Sequence, residues 1–206
     1  MSVATIAQLT AYIPGLEGND LDTELAAVLA AAEGDLAGAC GWPVADDGSQ
    51  GFSTATYTLH PRPSTAEPRL LPLAIPGAAI QSVTSAWSTW TDTYDSSTLL
   101  SSGSYTVDNA GLWLLSSATL AWSTARRGVR VVLVAGWAEG DAPPSVVSAV
   151  LAQAKHRWLT LRNAQDVPQM TQAGTSVTRP ASDAVSPVAL GLIRTSVAYR
   201  WSSALG

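Results

Sequence analysis

The chain has 206 residues, 47% of them hydrophobic and only 13% charged, with a formal net charge of −5. That length supports one sizeable core, or one core plus a tail. So little charge leaves a poor coat for a monomer and points to surface hidden in an oligomer, while the acidic balance argues against a nucleic-acid binder, which needs clustered Lys and Arg. Lys155 is the only lysine, and the arginines are scattered apart from Arg126, Arg127 and Arg130.

A single cysteine, Cys40, excludes an internal disulfide and a cysteine-based zinc site. It is expected to be a small apolar residue closing a helix. No stretch reaches the ~18–20 apolar residues of a membrane span. The start, Met1-Ser2-Val3-Ala4-Thr5, lacks a basic and apolar leader pattern. The chain is therefore expected to remain in the cytoplasm until assembled.

In chain order, Thr5 to Tyr12 predicts a short helix, capped by Thr5 or Ser2 and stopped by Pro14-Gly15. Asn19 or Asp20 caps a second helix, predicted over 20–40, with Leu21, Leu25, Val28, Leu29, Ala32, Leu36 and Ala39 on one stripe. Alanines 26, 27, 30 and 31 make it thin enough for close approach by another helix or subunit. Gly41 and Pro43 end it. Residues 44–53 form a loop, and a β-rich region follows over 54–137. Thr54 to Leu59 alternates as a strand, broken by His60-Pro61-Arg62-Pro63. Leu70 to Leu73, interrupted at Pro72, suits a sheet edge. Ile80 to Trp90 is a longer strand, and Thr91 to Gly103 a long polar loop or hairpin tip. Tyr105 and Val107, a turn over Asp108-Asn109-Ala110-Gly111, and Leu112 and Leu114 make the best hairpin. Val129 to Ala135, β-branched throughout most of its length, is expected to be the most buried strand.

Pro144 opens a helix predicted over 144–162, with Val146, Val147, Val150, Leu151, Ala154, Trp158 and Leu161 as its apolar face. Lys155, His156, Arg157 and Arg162 are explained there by the helix dipole. Residues 163–184 read as a linker or flexible arm. Ser186-Pro187 begins a last short helix with Val188, Leu192, Ile193, Val197 and Trp201 as apolar positions, an arrangement typical of a docking element. The expected fold is α+β: a helical bundle with an inserted small antiparallel sheet, residues 1–162, and a flexible C-terminal arm, residues 163–206.

Nothing in this order reads as catalytic, and no cofactor or metal is implied. No Gly-x-Ser-x-Gly elbow occurs. His60 and His156 stand in no metal-binding frame. Asp46-Asp47-Gly48 and Asp92-Thr93-Tyr94-Asp95 lack the full calcium-loop pattern and suit turns. Trp87, Trp90, Trp113 and Trp122 fall together in the β region, either as a sugar-stacking platform or, by preference, as core and interface filling.

The order of motifs resembles the bacteriophage head–tail connector family, the adaptor or head-completion proteins, from about Thr5 to Leu161. The matching segments are Cys40-Gly41-Trp42 after the helical pair, Ile80-Gln81-Ser82-Val83, Tyr105-Thr106-Val107-Asp108, Gly111-Leu112-Trp113-Leu114, Val131 to Trp137, and the Pro144 helix. Trp42 stands where the family often has Arg, and Ala79 where Pro is usual. The resemblance implies a structural virion protein of the neck. It would form a ring of about a dozen copies on the portal protein and extend the DNA channel, through which the genome passes without specific binding. It would then present a docking surface to the next connector (stopper) or the tail protein. By the same resemblance Val188, Leu192, Ile193, Val197, Tyr199, Arg200 and Trp201 would dock on the portal. Asp46, Asp47, Asp92 and Asp95, candidates because they fall in loops expected to be exposed, would line the channel or face a neighbouring ring, an acidic wall letting the duplex slide. A stopper or tail-terminator ring is the nearest alternative. A Trp-based carbohydrate-binding module is an alternative of a different class.

Overall fold

The computed structural model describes residues 2–16, 21–91, 93–108, 111–115, 121–166 and 185–194, with the side chains of 163–166 and 194 left aside. Asn19, Asp20, Asp92, Val197, Tyr199, Arg200 and Trp201 therefore lie outside the described residues. The architecture is α+β, with four α-helices and two three-stranded antiparallel sheets among those residues. No helix there is long and apolar enough to cross a membrane.

Helix α1 spans Ile6–Tyr12. Thr5, rather than Ser2, caps it: the Gln8 N–H donates to Thr5 Oγ1 at 3.0 Å, and the Thr5 N–H donates to Gln8 Oε1 at 2.9 Å. This reciprocal capping box satisfies donors at the first turn. Helix α2 spans Asp22–Ala39. It ends in a Schellman motif, with Gly41 at φ +70°, its N–H on Gly38 O at 3.0 Å and the Trp42 N–H on Ala37 O at 2.9 Å. Its buried face carries Leu25, Val28, Leu29, Ala32, Glu33, Leu36 and Ala37. Ala39 is exposed, as are Ala26, Ala27 and Ala30, while Ala31 is half-buried, so no described helix of this chain covers 26, 27 and 30 and that face is left open for the subunit approach the sequence also allows.

The first sheet has the order β1 (Ala55–Leu59), β6 (Val129–Ala135), β3 (Ile80–Ser88). The second has the order β2 (Leu70–Leu71), β5 (Gly111–Leu114), β4 (Tyr105–Asp108). One sheet was expected and two are found. Strand β6 takes β1 on one side and β3 on the other, so both its edges are filled. The remaining strands pair among themselves in the second sheet. The β4–β5 hairpin forms as expected, Asp108 opposite Gly111, and β2 lies at an edge. Along β6, Val129, Val131, Leu133 and Ala135 are buried and the intervening residues half-buried, so the β-branched run alternates.

Helix α3 runs from Pro144 to Asp166, longer than the predicted 144–162, and packs against α1, α2 and α4 (Pro187–Arg194). Leu161 is largely exposed, whereas Ala149 and Gln153 join the buried face. Lys155, His156 and Arg157 precede the last turn, where a dipole effect is felt. Two of them have other partners: Arg157 pairs with Asp35, and Lys155 Nζ lies 5.5 Å from the Tyr12 ring. In α4, Ala189 and Ile193 are fully buried in the common core. The segment expected to follow a flexible arm as a separate docking piece thus rests on α3. Deleting residues 183–206 would remove this packing and expose the α3 face beneath it.

Replacing Ile193 by Ala should lower stability by about 2–5 kcal/mol in urea unfolding. Replacing Val188, 64% exposed on the same helix, should change it by less than about 0.5 kcal/mol.

Candidate functional site

The residues singled out for function are not brought together. Asp46 serves the edge of β1, its carboxylate accepting from the Thr58 N–H and Thr58 Oγ1, both at 2.8 Å. Asp47 accepts from the Ser49 N–H at 2.8 Å. Asp95 accepts from the Ser97 N–H at 2.9 Å, Ser97 Oγ at 2.6 Å and the Thr98 N–H at 3.1 Å. The serine and threonine donors hold the carboxyls of Asp47 and Asp95 below the usual carboxylate range. These are turn aspartates, as their spacing suggested. Of the docking residues described, Ile193 is committed to the core, Leu192 is half-buried and Val188 is exposed.

The tryptophans do not make a platform. Trp122 is buried and donates from Nε1 to Arg69 O at 2.9 Å. Trp87 and Trp113 are half-buried, and Trp90 alone of the four is well exposed, at 75%. A second aromatic group closes the core: Trp42 stands edge-on to Phe52 at 5.2 Å and 5.7 Å from Trp137, and donates from Nε1 to the Tyr57 hydroxyl at 3.0 Å. Burial pushes the Tyr57 phenol up.

Two polar centres dominate the interior, and sequence reasoning missed both. Glu33, 2% exposed, accepts on Oε2 from Ser2 Oγ at 2.6 Å and the Val3 N–H at 2.9 Å. On Oε1 it accepts from the Phe52 N–H at 2.6 Å, the Ser53 N–H at 2.8 Å and Ser53 Oγ at 2.9 Å. The second centre joins three helices. Arg157 grips Asp35 through Nε at 2.6 Å and a terminal nitrogen at 2.7 Å. Gln153 Nε2 donates to Asp35 Oδ2 at 3.0 Å, and Gln153 Oε1 accepts from the Ser186 N–H at 2.8 Å, at the entrance to α4. The available signal was a polar residue at helical spacing inside an apolar stripe: Glu33 follows Leu29 by four, and Gln153 follows Val150 by three.

A third cluster sits at the end of the first sheet. The Arg130 guanidinium lies 5.0 Å from the Trp87 ring centre and 5.5 Å from that of Tyr94. The Tyr94 hydroxyl donates to Arg127 O and lies 3.2 Å from His60 Nδ1, which is itself 3.2 Å from Val129 O. His60 and Arg62 also line a surface concavity of about 290 Å³ with Leu59, Pro61, Pro72 and Ala74.

Among the described residues no three His, Cys, Asp or Glu side chains gather as metal ligands. The interior centres use their donors and acceptors to fasten backbone and helices. Compared with models of known protein families and with curated proteins, the chain matches none.

Glu33→Ala would orphan the buried N–H groups of Val3 and Phe52 and the half-buried one of Ser53. At about 1–3 kcal/mol each, the expected loss is about 3 kcal/mol or more by denaturant titration. Burial also pushes the Cys40 thiol up to about 11. At pH 8 it should stay protonated and react with a disulfide reagent only on unfolding, so the rate should rise sharply with urea.

Proposed function

We propose that this chain is a structural protein of a bacteriophage neck, the head-to-tail adaptor that assembles as a ring on the portal vertex. It extends the DNA channel there and offers a docking surface to the next connector or the tail. The observation that carries this reading is the fastening of helices from both ends of the chain. Asp35 of α2, Gln153 and Arg157 of α3 and Ser186 before α4 share one hydrogen-bonded network, with the β region inserted between them in sequence. This supports a helical body carrying a β insertion, the arrangement that the order of motifs implies. In this reading the portal contact uses Val188 and Leu192 on the outer side of α4, together with Val197, Tyr199, Arg200 and Trp201. Ile193 acts from within, holding α4 in place. Asp46, Asp47 and Asp95 are exposed, which suits a channel wall or a face toward a neighbouring ring.

The decisive experiment is mass photometry of the purified chain alone and mixed with portal rings of the same phage. The expected result is a discrete mass increase on the portal, weakened by Val188→Asp while the variant remains folded. A chain that stays free beside intact portal rings would overturn the reading.

A further inference from the structure

We propose that the end of the first sheet where β6 begins is a contact surface for the phosphate backbone of a nucleic acid. The net charge of −5 hides a local excess of the opposite sign. Arg126 and Arg127 precede β6, Arg130 lies on its first turn of pleat, and Arg62 follows the end of β1, which pairs antiparallel with β6. Arg62, Arg126 and Arg127 are exposed, and none of the four forms a salt bridge among the described residues. Beyond the other end of β6 stand Glu139 and Asp141. The sheet is therefore charged in opposite senses along its length.

The basic end is also built rather than loose. Arg127 is the one described residue other than glycine with positive φ, at +54°. Its carbonyl is held by the Tyr94 hydroxyl, and Gly128 follows with its N–H on Ala125 O at 2.8 Å. A Cβ on Gly128 would lie 2.6 Å from Thr89 O, so the turn is pressed against the loop after β3. Tyr94 touches His60 as well, which ties the Arg126-Arg127 turn to the segment bearing Arg62. Arg130 fills the space between, stacked on Trp87 and Tyr94, its Nε buried without a partner. A left-handed backbone on a non-glycine residue is strained and persists where its surroundings over-determine it. Here they hold two adjacent arginines outward beside a third.

Two acidic groups stand near this end among the described residues: Asp95, whose carboxylate is turned into its own loop by Ser97 and Thr98, and Asp46, whose carboxylate is taken up by the Thr58 N–H and hydroxyl on the edge of β1; Asp92 lies outside the described residues. Unpaired guanidinium groups on a fixed frame match phosphate oxygens, and their contribution falls with salt as counterions are released. Such contacts carry no base readout. This inference goes beyond the adaptor reading and stands or falls without it, since it concerns the free chain.

The test is fluorescence anisotropy with a labelled mixed-sequence DNA duplex, and separately with a single strand of the same length, at about 20 mM salt and upward. Binding of either should weaken with salt, log K against log salt having a slope of about −2 to −3 if three phosphates are neutralised. The double variant Arg126→Ser with Arg127→Ser should lose at least about tenfold in affinity and about two units of that slope. The control Arg162→Ser, on α3, should bind as the parent does. Far-ultraviolet circular dichroism checks that each variant is folded. Preference for the duplex or for the single strand identifies the source of the phosphates. The proposal is overturned if the parent binds neither at low salt, if the control loses as much as the double variant, or if poly-glutamate competes as well as DNA, which would make the surface a contact for an acidic protein.

Discussion

The fold turns on the buried carboxylate of Glu33. A charge placed among Leu29, Ala32 and Leu36 is tolerable only if its lone pairs are filled, and the chain fills them from two remote segments. Ser2 and Val3 bind one oxygen, Phe52 and Ser53 the other. The start of the chain and the approach to β1 are thereby fixed on the same turn of α2. The crossing beyond Ser53 then has little freedom. The Trp137 N–H donates to Phe52 O at 2.9 Å and the Thr54 N–H to Trp137 O at 3.2 Å. Gly136, at φ +105°, brings its backbone so close that a Cβ would lie 2.3 Å from Ser53 O. Helix, strap and sheet meet there, and Trp42, Phe52 and Trp137 close the corner with their rings. Gly51 has a matching constraint, since a Cβ there would stand 2.8 Å from Glu33 Oε1.

Fastening of the helices follows the same economy of means. Gln153 is fully buried, yet both ends of its amide are engaged, one by Asp35 and one by the Ser186 N–H. Ser186 in turn accepts the Leu190 N–H, the first turn of α4. Gln153 thus relays the Asp35–Arg157 pair into the start of a separate helix. A half-satisfied network of this kind would be worse than an apolar one, so α2, α3 and α4 are coupled in a way that apolar packing alone would not enforce. This coupling explains why α4 belongs to the core despite the long sequence interval before it.

Much of this was legible in the sequence wherever one residue decides a local structure. Gly41 and Pro43 marked the end of α2, Pro144 the start of α3, Ser186-Pro187 the start of α4, and the spacing of Val107, Gly111 and Leu112 the hairpin. Pairing between distant segments was not legible. Nothing in the β6 run says that β1 and β3 are its neighbours, and so the division into two sheets was missed. The burial of Glu33 and Gln153 was hidden for a related reason: an isolated acid or amide on a helix is ordinarily solvated, and only the partners arriving from residues 2–3, 52–53 and 186 make burial affordable. The aspartate turns showed the opposite case, because Asp47 and Asp95 find their donors two and three residues away.

The edges of the first sheet limit how copies of this chain could meet. An unpaired edge invites strand addition, and natural sheets blunt it. Along β1 the loop before it does so: the Asp46 N–H donates to Thr56 O at 2.9 Å, and its carboxylate takes the Thr58 N–H. The outer edge of β3 is covered at its far end by the returning loop, where the Leu100 N–H donates to Ala86 O at 2.8 Å and the Ser88 N–H to Thr98 O at 3.2 Å. Its near end is interrupted by register shifts between Ile80 and Ser82 and between Val83 and Ser85, which twist an edge away from a flat partner. Continuing the sheet from one copy to the next is therefore disfavoured on both sides. That leaves the outer strands of the second sheet, β2 and β4, the loops, and the helical faces, where the exposed alanines of α2 and the outer residues of α4 lie.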